Sequence, residues 1–458
     1  MFCLNTLIIP EIVTRVLMID MFSKITKDKG IFFVFLLAIV FLLNNDPIFS
    51  PDTGSYENNS ILRIGMYPLI ITFFKFLFKE NVFKYLAIFQ TLFSLGAIYF
   101  LTNFLRTFFN LNFYLHVALV GIFLFPLATH VSAFNIISES IAYPLFLLAS
   151  LSFFKVLAYK NTKNTILFVT FLFLLCFTRQ QFVFFYVVAF IYAIYMMIFE
   201  KNVKISSKVF LASALSLCSF FIAEKSYHKI YHGHFAGTPF AGTQFLMRPL
   251  FLISSSALKS IEDPQQKKFL LEAIEEFKKN DITSLDQPAK ELYAYEYSYN
   301  TMYHRISSKI WGKIWSKDIL DKKFNKDHTS FEVMQIIDHN ALIMGIKLTQ
   351  ANFVASAIYY IKDTMRGMGG YSYCLFLFII LFCCLVASYK RKKMDFLYLA
   401  LTSSALMHLG NSALVCLFEP PLTRYMYYTS TLLFAVVVIL MTKLFPYMLQ
   451  QSKKSCAE

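Results

Sequence analysis

Long apolar blocks alternate with short polar connections over most of the chain. The blocks hold about 17 to 25 residues, the length that an α-helix needs to cross roughly 30 Å of hydrocarbon. They lack the strict polar and apolar alternation of strands in an outer-membrane barrel. Ten helical spans are predicted, near residues 31–43, 83–105, 112–127, 136–157, 164–180, 182–199, 206–224, 371–389, 395–416 and 425–446. The predicted fold class is an all-α, polytopic transmembrane helical bundle.

The composition agrees with a membrane protein. Of the 458 residues, 57% are hydrophobic and only 16% are charged, and 53 are Phe, which is more apolar surface than a water-soluble core of this size can bury. The eight cysteines are scattered over apolar blocks and termini, and none lies between residues 225 and 370. This distribution argues against a disulfide framework and against a cysteine-based metal site.

The net charge of +15 is interpreted as a topology signal and not as a nucleic-acid surface. Lys24, Lys27 and Lys29 precede the first apolar block, so the N-terminus is predicted in the cytoplasm and the loop after that block outside. With ten spans, five further basic clusters fall on the cytoplasmic side, whereas Lys75, Lys79 and Lys84 fall on the outer side. The five cytoplasmic clusters are at residues 106, 155–163, 201–208, 389–393 and 453–454.

Five segments follow from this topology. They are a cytoplasmic or interfacial N-terminus at 1–30, a transmembrane catalytic module at 31–224 with its first outer loop at 44–82, a mostly helical periplasmic segment at 225–370, C-terminal transmembrane helices at 371–446 and a cytoplasmic tail at 447–458. Residues 67–78 hold only about twelve apolar-rich positions before Lys79, so they are predicted to lie in the membrane interface. Helices are predicted within 269–280 and 331–367 from apolar residues at three- and four-residue spacing.

Ionisable residues near a bilayer are costly to bury, so their placement is informative. The predicted topology collects several of them on the outer face, from connections far apart in sequence: Asp52, Glu57, Arg63, Glu139, Arg179, Glu419 and Arg424. Each also has a structural interpretation. Asp52 follows Pro51 as a turn residue would, and Glu139 complements the dipole at a helix start. Arg179 is placed as a boundary residue, and Arg424 is within reach of Glu419 as an ion pair.

The sequence motifs of several other enzyme classes are absent. The sequence has no Gly-rich phosphate loop, no GxSxG and no HExxH, so ATP hydrolysis and soluble-type hydrolase action are unsupported. The spacing His-x-x-x-His-x-His at His228, His232 and His234 lacks a nearby carboxylate, and no metal site is predicted there.

A set of short motifs resembles one enzyme family. Pro-Asp-x-x-x-Tyr at residues 51–56 is followed by Arg63 and Tyr67-Pro68; Ser-Glu-Ser stands at 138–140, and Arg-Tyr at 424–425 opens a late span. Together they are similar to the membrane-embedded glycosyltransferases of the GT-C superfamily, which include protein O-mannosyltransferases and bacterial lipid A aminoarabinose transferases. The resemblance covers residues 31–200 and, more loosely, 371–446.

The resemblance implies a polyprenyl-phosphate sugar donor and an inverting transfer. It makes Asp52 the catalytic carboxylate and general base, with Glu57 and Glu139 as further candidate acids. It also implies substrate- and phosphate-binding roles for Arg63, Tyr67, Arg179, Arg424 and Tyr425. His228 is a further binding candidate, added from the predicted outer segment and not from the resemblance. Many members of the family carry a second acid directly beside the first, whereas the nearest here is Glu57. No cofactor is therefore assigned, and a divalent metal stays open.

The predicted function is sugar transfer on the periplasmic face of the bacterial inner membrane, to a glycolipid such as lipopolysaccharide, a polysaccharide or a protein. Two alternatives stay open. One is an O-antigen-type polysaccharide polymerase or ligase, which would rely on arginine and histidine more than on Asp52. The other is a membrane transporter or lipid flippase, although no paired, Gly- or Pro-broken segments appear in two matching halves.

Overall fold

A computed structural model describes residues 35–36, 39–40, 46–129, 134–252, 258–259, 261–279, 331–391, 395–419 and 421–455. Outside these ranges lie the N-terminal segment, most of the predicted span at 31–43, residues 280–330 of the predicted periplasmic segment, the last three residues of the tail and a few short connections. The structure is 85% helical, which confirms the all-α prediction. Over the described ranges the only strand-like pairing is an isolated parallel bridge between Ile48 and Asn135.

Fifteen helices are described by their bounds. They are α1 (Thr53–Glu57), α2 (Met66–Phe78), α3 (Val82–Phe109), α4 (Phe113–Thr129), α5 (Glu139–Tyr159), α6 (Thr162–Thr178), α7 (Phe184–Ile198), α8 (Val203–His232), α9 (Ala241–Phe251), α10 (Pro264–Lys279), α11 (Phe331–Ala351), α12 (Phe353–Gly367), α13 (Tyr371–Arg391), α14 (Phe396–Phe418) and α15 (Thr423–Ser455). Short 3₁₀ turns at Lys79–Asn81 and Gln180–Val183 join α2 to α3 and precede α7.

Six helical stretches in the described chain are long and apolar enough to cross a membrane, or seven if the bent pair α11–α12 counts as one span. The prediction of a multi-pass membrane protein agrees with this, but the count of ten spans is not confirmed. Helices α4 and α6 coincide with predicted spans but have only 17 residues each. The α2–α3 stretch counts as one candidate of 44 residues, and the interfacial position of α2 stays a prediction.

The described residues form two compact units. Unit 1 draws on Met1–Glu57, Tyr67–Thr178 and Val437–Glu458, and unit 2 on Asn58–Met66 and Arg179–Val436.

The centre of unit 1 is α5, which packs against α3 and α6. Most of its residues are buried, and they are apolar or small on every side of the helix, as expected for a helix enclosed by others. The helix ends at Lys160, whose left-handed backbone (φ 49°) lets its N–H reach the carbonyl oxygen of Val156. Since α3 ends in the same way at Asn110 (φ 48°), both helices stop at defined left-handed caps.

Unit 2 is built around α14, which packs against α7, α9, α12 and α13. Its buried face carries polar residues, among them His408 and Asn411. Helix α8 packs against α7. It also has buried polar residues, Glu224 and His228, whereas its apolar residues Leu211, Leu215 and Ile222 are exposed. Polar groups inside and apolar groups outside suit a helix that faces lipid.

Two helices differ from their predicted bounds. The span predicted to end at residue 224 continues as α8 to His232, because Glu224 and His228 stay on its buried face and Gly233 (φ 80°) ends it. The helical pattern at 331–367 is broken between α11 and α12, which meet at an angle of 104°. At this break the Asn352 side-chain amide donates to the carbonyl oxygen of Leu252, 2.8 Å away.

Candidate functional site

In unit 1 the first loop is fastened to the segment before α5. The bridge at Ile48 aligns the loop, and the Thr53 hydroxyl donates to the carbonyl oxygen of Ile136 at 3.0 Å. Asp52 stands just before α1 and is half-buried. Its backbone carbonyl accepts the Ser55 hydroxyl at 2.6 Å, so the turn uses the main-chain oxygen of Asp52 as an acceptor.

Glu139 is the first residue of α5, and its side chain is buried. The Ser138 hydroxyl donates to Glu139 Oε2 at 3.2 Å, and the Tyr56 hydroxyl lies 2.9 Å from Ser138 Oγ. A carboxylate at a helix N-terminus is stabilised by the backbone dipole. Tyr56, Ser138 and Glu139 thus form a buried hydrogen-bonded chain that sequence reasoning had only partly seen, since Tyr56 was not proposed as a member.

The other two unit 1 candidates have partners of different kinds. Glu57 forms an ion pair with Lys75, with 2.9 Å between Oε1 and Nζ, and both side chains are more than a third exposed. Tyr67 is fully buried and donates to Gln90 Oε1 at 2.8 Å, with its ring packed edge-on against Tyr56. The structure therefore places Glu57 at a partly exposed surface and Tyr67 in the packed interior of unit 1.

In unit 2 three predicted binding residues come together, although Arg179 and Arg424 are 245 positions apart in the sequence. The Arg179 guanidinium carbon lies 5.1 Å from the centre of the Tyr425 ring, and that of Arg424 lies 4.8 Å from the same ring. Arg424 Nη2 also donates to the Tyr425 hydroxyl at 2.8 Å. Cation–π contacts of this kind hold guanidinium groups in place without consuming the donors at their edges. We call Arg179, Arg424 and Tyr425 the arginine–tyrosine cluster.

Hydrogen bonds anchor the backbone of the arginine–tyrosine cluster. Asn411 is fully buried on α14 and donates to the carbonyl oxygen of Tyr425 at 2.8 Å. Gln181 Nε2 lies 3.5 Å from Asn411 Oδ1, and Gln181 accepts from Arg179 Nε at 3.2 Å. The loop before α7, the middle of α14 and the start of α15 are thereby joined at one point.

The structural interpretation of Arg424 as the ion-pair partner of Glu419 is wrong. Glu419 Oε1 accepts from the side-chain amide of Gln244 on α9, and Glu419 makes no ion pair with any residue that the structure describes. Its second oxygen, Oε2, is buried and accepts no hydrogen bond from the described residues.

His228 and Arg63 also belong to unit 2. His228 is fully buried on α8, and its Nε2 lies 3.1 Å from the Thr238 hydroxyl. That hydroxyl donates to Glu224 Oε1 at 2.8 Å, so the imidazole must donate to the hydroxyl in turn. Arg63 is half-buried in the Asn58–Met66 segment, where its backbone N–H donates to the carbonyl oxygen of Ser60. His228 is thus linked to a buried carboxylate that was not predicted.

Three residues of this region that were not predicted could have been noticed in the sequence. Gln180, Asn411 and Glu224 are polar residues inside or beside long apolar blocks, where an unpaired polar group is costly. Among the described residues no group of three or more His, Cys, Asp or Glu side chains is placed to hold a metal ion.

No protein-family model matches the chain, and no curated protein or solved structure matches it either.

Proposed function

We propose that the chain is an integral-membrane glycosyltransferase that moves a sugar from a polyprenyl-phosphate donor to a cell-envelope acceptor. The observation that carries this proposal is the arginine–tyrosine cluster. It gathers Arg179, Arg424 and Tyr425, which the motif resemblance had assigned to phosphate binding before any fold was known.

Two guanidinium groups on one ring suit a lipid-linked phosphate. The planar guanidinium fork binds phosphate through two parallel N–H···O bonds, and this geometry is lost when arginine is replaced by lysine. Two such groups held together by an aromatic ring concentrate positive charge where a phosphate leaving group would develop its own charge. In a poorly hydrated region such fixed charge stabilises a departing phosphate strongly.

Sugar transfer also needs a carboxylate that takes the proton of the acceptor hydroxyl as the sugar carbon is attacked. We assign this role to Asp52. Its side chain stands at the start of α1, where the loop is fastened by Thr53 and the turn is closed through the main-chain oxygen of Asp52. Glu139 is buried in its chain with Ser138 and Tyr56, and Glu57 pairs with Lys75 at a partly exposed surface.

We further propose that the first outer loop faces the periplasm of a bacterial inner membrane. The six candidate spans and the basic clusters at the ends of apolar blocks support a multi-pass chain with that orientation. The acceptor is an envelope glycolipid, polysaccharide or protein.

The proposal is tested with the full chain in membranes supplied with polyprenyl phosphates that carry radiolabelled sugars. The wild type is expected to transfer label to envelope material. Asp52→Asn should lower transfer by about two orders of magnitude or more, because the base contribution is lost. Arg179→Ala should lower it by a similar factor, because phosphate stabilisation is lost.

Glu80→Gln serves as the matched control for Asp52→Asn, because it also neutralises one carboxylate and lies in a surface turn. It is expected to keep full transfer. Undiminished transfer by Asp52→Asn would remove the general-base assignment. Movement of the intact lipid across the membrane by the wild type, without transfer of the sugar, would identify a carrier instead.

A further inference from the structure

Glu224 is an unusual residue for its position. It is buried, 3% exposed, and lies on α8, which is one of the candidate membrane spans. A carboxylate buried without compensation is strongly disfavoured, so residues of this kind inside a membrane helix usually serve a function. Among the described residues Glu224 has no cationic partner.

All hydrogen bonds to this carboxylate converge on one of its oxygens. Glu224 Oε1 accepts from Gln180 Nε2 at 2.5 Å, from the Thr238 N–H at 3.0 Å and from the Thr238 hydroxyl at 2.8 Å. Oε2 accepts from none of the residues that the structure describes. A carboxylate has about four acceptor positions, so the side chain is held rigidly by one oxygen and offers the other.

His228 fixes the direction of these bonds. Because its Nε2 must donate to the Thr238 hydroxyl, that hydroxyl has its proton available for Glu224. His228 is fully buried, and its Nδ1 has no partner among the described residues. The imidazole therefore acts as a positioning residue behind Thr238, and Glu224 is the final acceptor of the chain.

Glu224 is linked to the arginine–tyrosine cluster through consecutive residues. Arg179 has an extended backbone (φ −151°, ψ 120°), which directs neighbouring side chains to opposite sides. The Arg179 side chain reaches Tyr425, and the next side chain, Gln180, reaches Glu224. The cluster and Glu224 are thus held by adjacent residues of one segment.

We propose that Glu224 Oε2 accepts hydrogen bonds from the hydroxyl groups of the sugar on the donor lipid. The inference rests on the proposed function, because it names the sugar site next to the proposed phosphate site. A carboxylate accepts from neutral hydroxyls and repels a second carboxylate, so the site favours neutral sugars over uronic acids. Gln180 and Thr238 hold the carboxylate, and His228 positions Thr238.

The test measures equilibrium binding to the purified full chain in detergent. The ligands are a polyprenyl phosphate and the same lipid carrying glucose, galactose, mannose or N-acetylglucosamine in turn. At least one sugar-bearing lipid is expected to bind the wild type more tightly than the sugar-free lipid. Glu224→Gln should reduce that preference by about tenfold, the usual scale for one charge-assisted hydrogen bond. Its affinity for the sugar-free lipid should stay unchanged.

Glu332→Gln is the matched control, because it makes the same chemical change at an exposed position of α11 and should keep the preference. Thr238→Val and Thr238→Ser provide a second pair in case Glu224→Gln does not fold. The valine variant removes the hydroxyl donor to Glu224 and should weaken the preference, whereas the serine variant retains the hydroxyl and should preserve it.

The outcomes separate the two proposals. A preference that survives in both Glu224→Gln and Thr238→Val, or no preference in the wild type, overturns the sugar site. Unchanged affinity of Arg179→Ala for the sugar-free lipid overturns the phosphate site and with it the proposed function. If phosphatidylglycerol displaces the sugar-bearing lipid from the wild type but not from Glu224→Gln, the hydroxyls belong to a phospholipid headgroup and the sugar assignment is wrong.

Discussion

The Tyr425 ring contacts the guanidinium groups of both Arg179 and Arg424, and packing and a backbone hydrogen bond hold Tyr425 in place. The residue is 7% exposed and packs with Val415, Met426 and Leu422, while Asn411 holds its backbone oxygen. The ring therefore works as a rigid platform, and its hydroxyl adds one hydrogen bond from Arg424. The contributions of the ring and of the hydroxyl to lipid binding can be distinguished by substituting Tyr425.

Tyr425→Phe is expected to bind a polyprenyl phosphate almost as tightly as the wild type, because the ring and both cation–π contacts remain. Tyr425→Leu removes the ring and should weaken binding by about three- to thirtyfold, the range that follows from cation–π energies of about 0.5–2 kcal/mol. Titration of the purified variants with the lipid measures both. Equal affinities of the phenylalanine and leucine variants would show that the ring does not position the arginines.

At the scale of single residues, the sequence predicted which residues belong to a site better than it predicted their hydrogen-bond partners. Arg179, Arg424 and Tyr425 could be predicted as a group from their motifs, and the structure brings them together. The bonds from Gln180 to Glu224 and from Gln181 to Asn411 join residues 44 and 230 positions apart. Such pairs depend on how helices pack and on which rotamer an amide adopts, and neither is encoded in local periodicity.

Helices α9 and α11 approach closely because glycines stand at their contact. A Cβ on Gly242 would overlap the backbone oxygen of Asp338, and a Cβ on Gly345 would come within 2.8 Å of the Phe245 ring. Asp338 in turn accepts from the N–H of Thr243 at 2.8 Å near the start of α9. The two helices form one packed pair that an added methyl group would separate.

Gly242→Ala is expected to destabilise the protein by about 1–3 kcal/mol, the usual cost of overpacking, even though alanine is the better helix former. Gly121→Ala is the matched control, because Gly121 is also helical and nothing lies within 4 Å of its added Cβ. Thermal unfolding in detergent should show a lower midpoint for the first variant and an unchanged or higher midpoint for the second. A lower midpoint for Gly121→Ala alone would contradict the packing assigned to α9 and α11.

Helix positions were largely predictable and helix breaks were not. Nine of the ten predicted spans coincide with described helices, because long apolar blocks leave few alternatives in a membrane. The 104° bend after α11 lies inside a continuous apolar periodicity over residues 331–367, so the hydrophobic pattern did not predict it. Asn352 lies at the bend and its side chain donates to the backbone oxygen of Leu252, a partner 100 positions away that the sequence pattern does not indicate.

At the scale of the whole molecule, the predicted orientation in the membrane rests on the distribution of basic residues and not on contacts between helices. Basic residues collect at every second connection of the ten-span scheme, whereas the described helices supply six or seven candidate spans. Helices α4, α6 and α13 decide between these counts, together with the predicted span at 31–43, since each must cross as well if these basic clusters are to share one side.

Cysteine labelling of intact cells tests this orientation. Asn58→Cys in the first loop is expected to react with an impermeant maleimide, and Lys163→Cys in the first turn of α6 should react only with a permeant one. Both positions are exposed, so accessibility differs by side and not by burial. Labelling is scored above the wild type, which retains its own cysteines. The reverse pattern would place the first loop in the cytoplasm.

The most direct measurement of the central claim is the affinity of the purified full chain for a polyprenyl phosphate, compared with the same polyprenol without phosphate. Arg179→Ala and Arg424→Ala are each expected to weaken binding of the phosphorylated lipid by about tenfold or more and to leave polyprenol binding unchanged. Arg106→Ala removes an arginine that contacts His116 in unit 1 and should bind as the wild type does. Equal affinity of the wild type and both cluster variants for the phosphorylated lipid would contradict a phosphate site at Arg179, Arg424 and Tyr425.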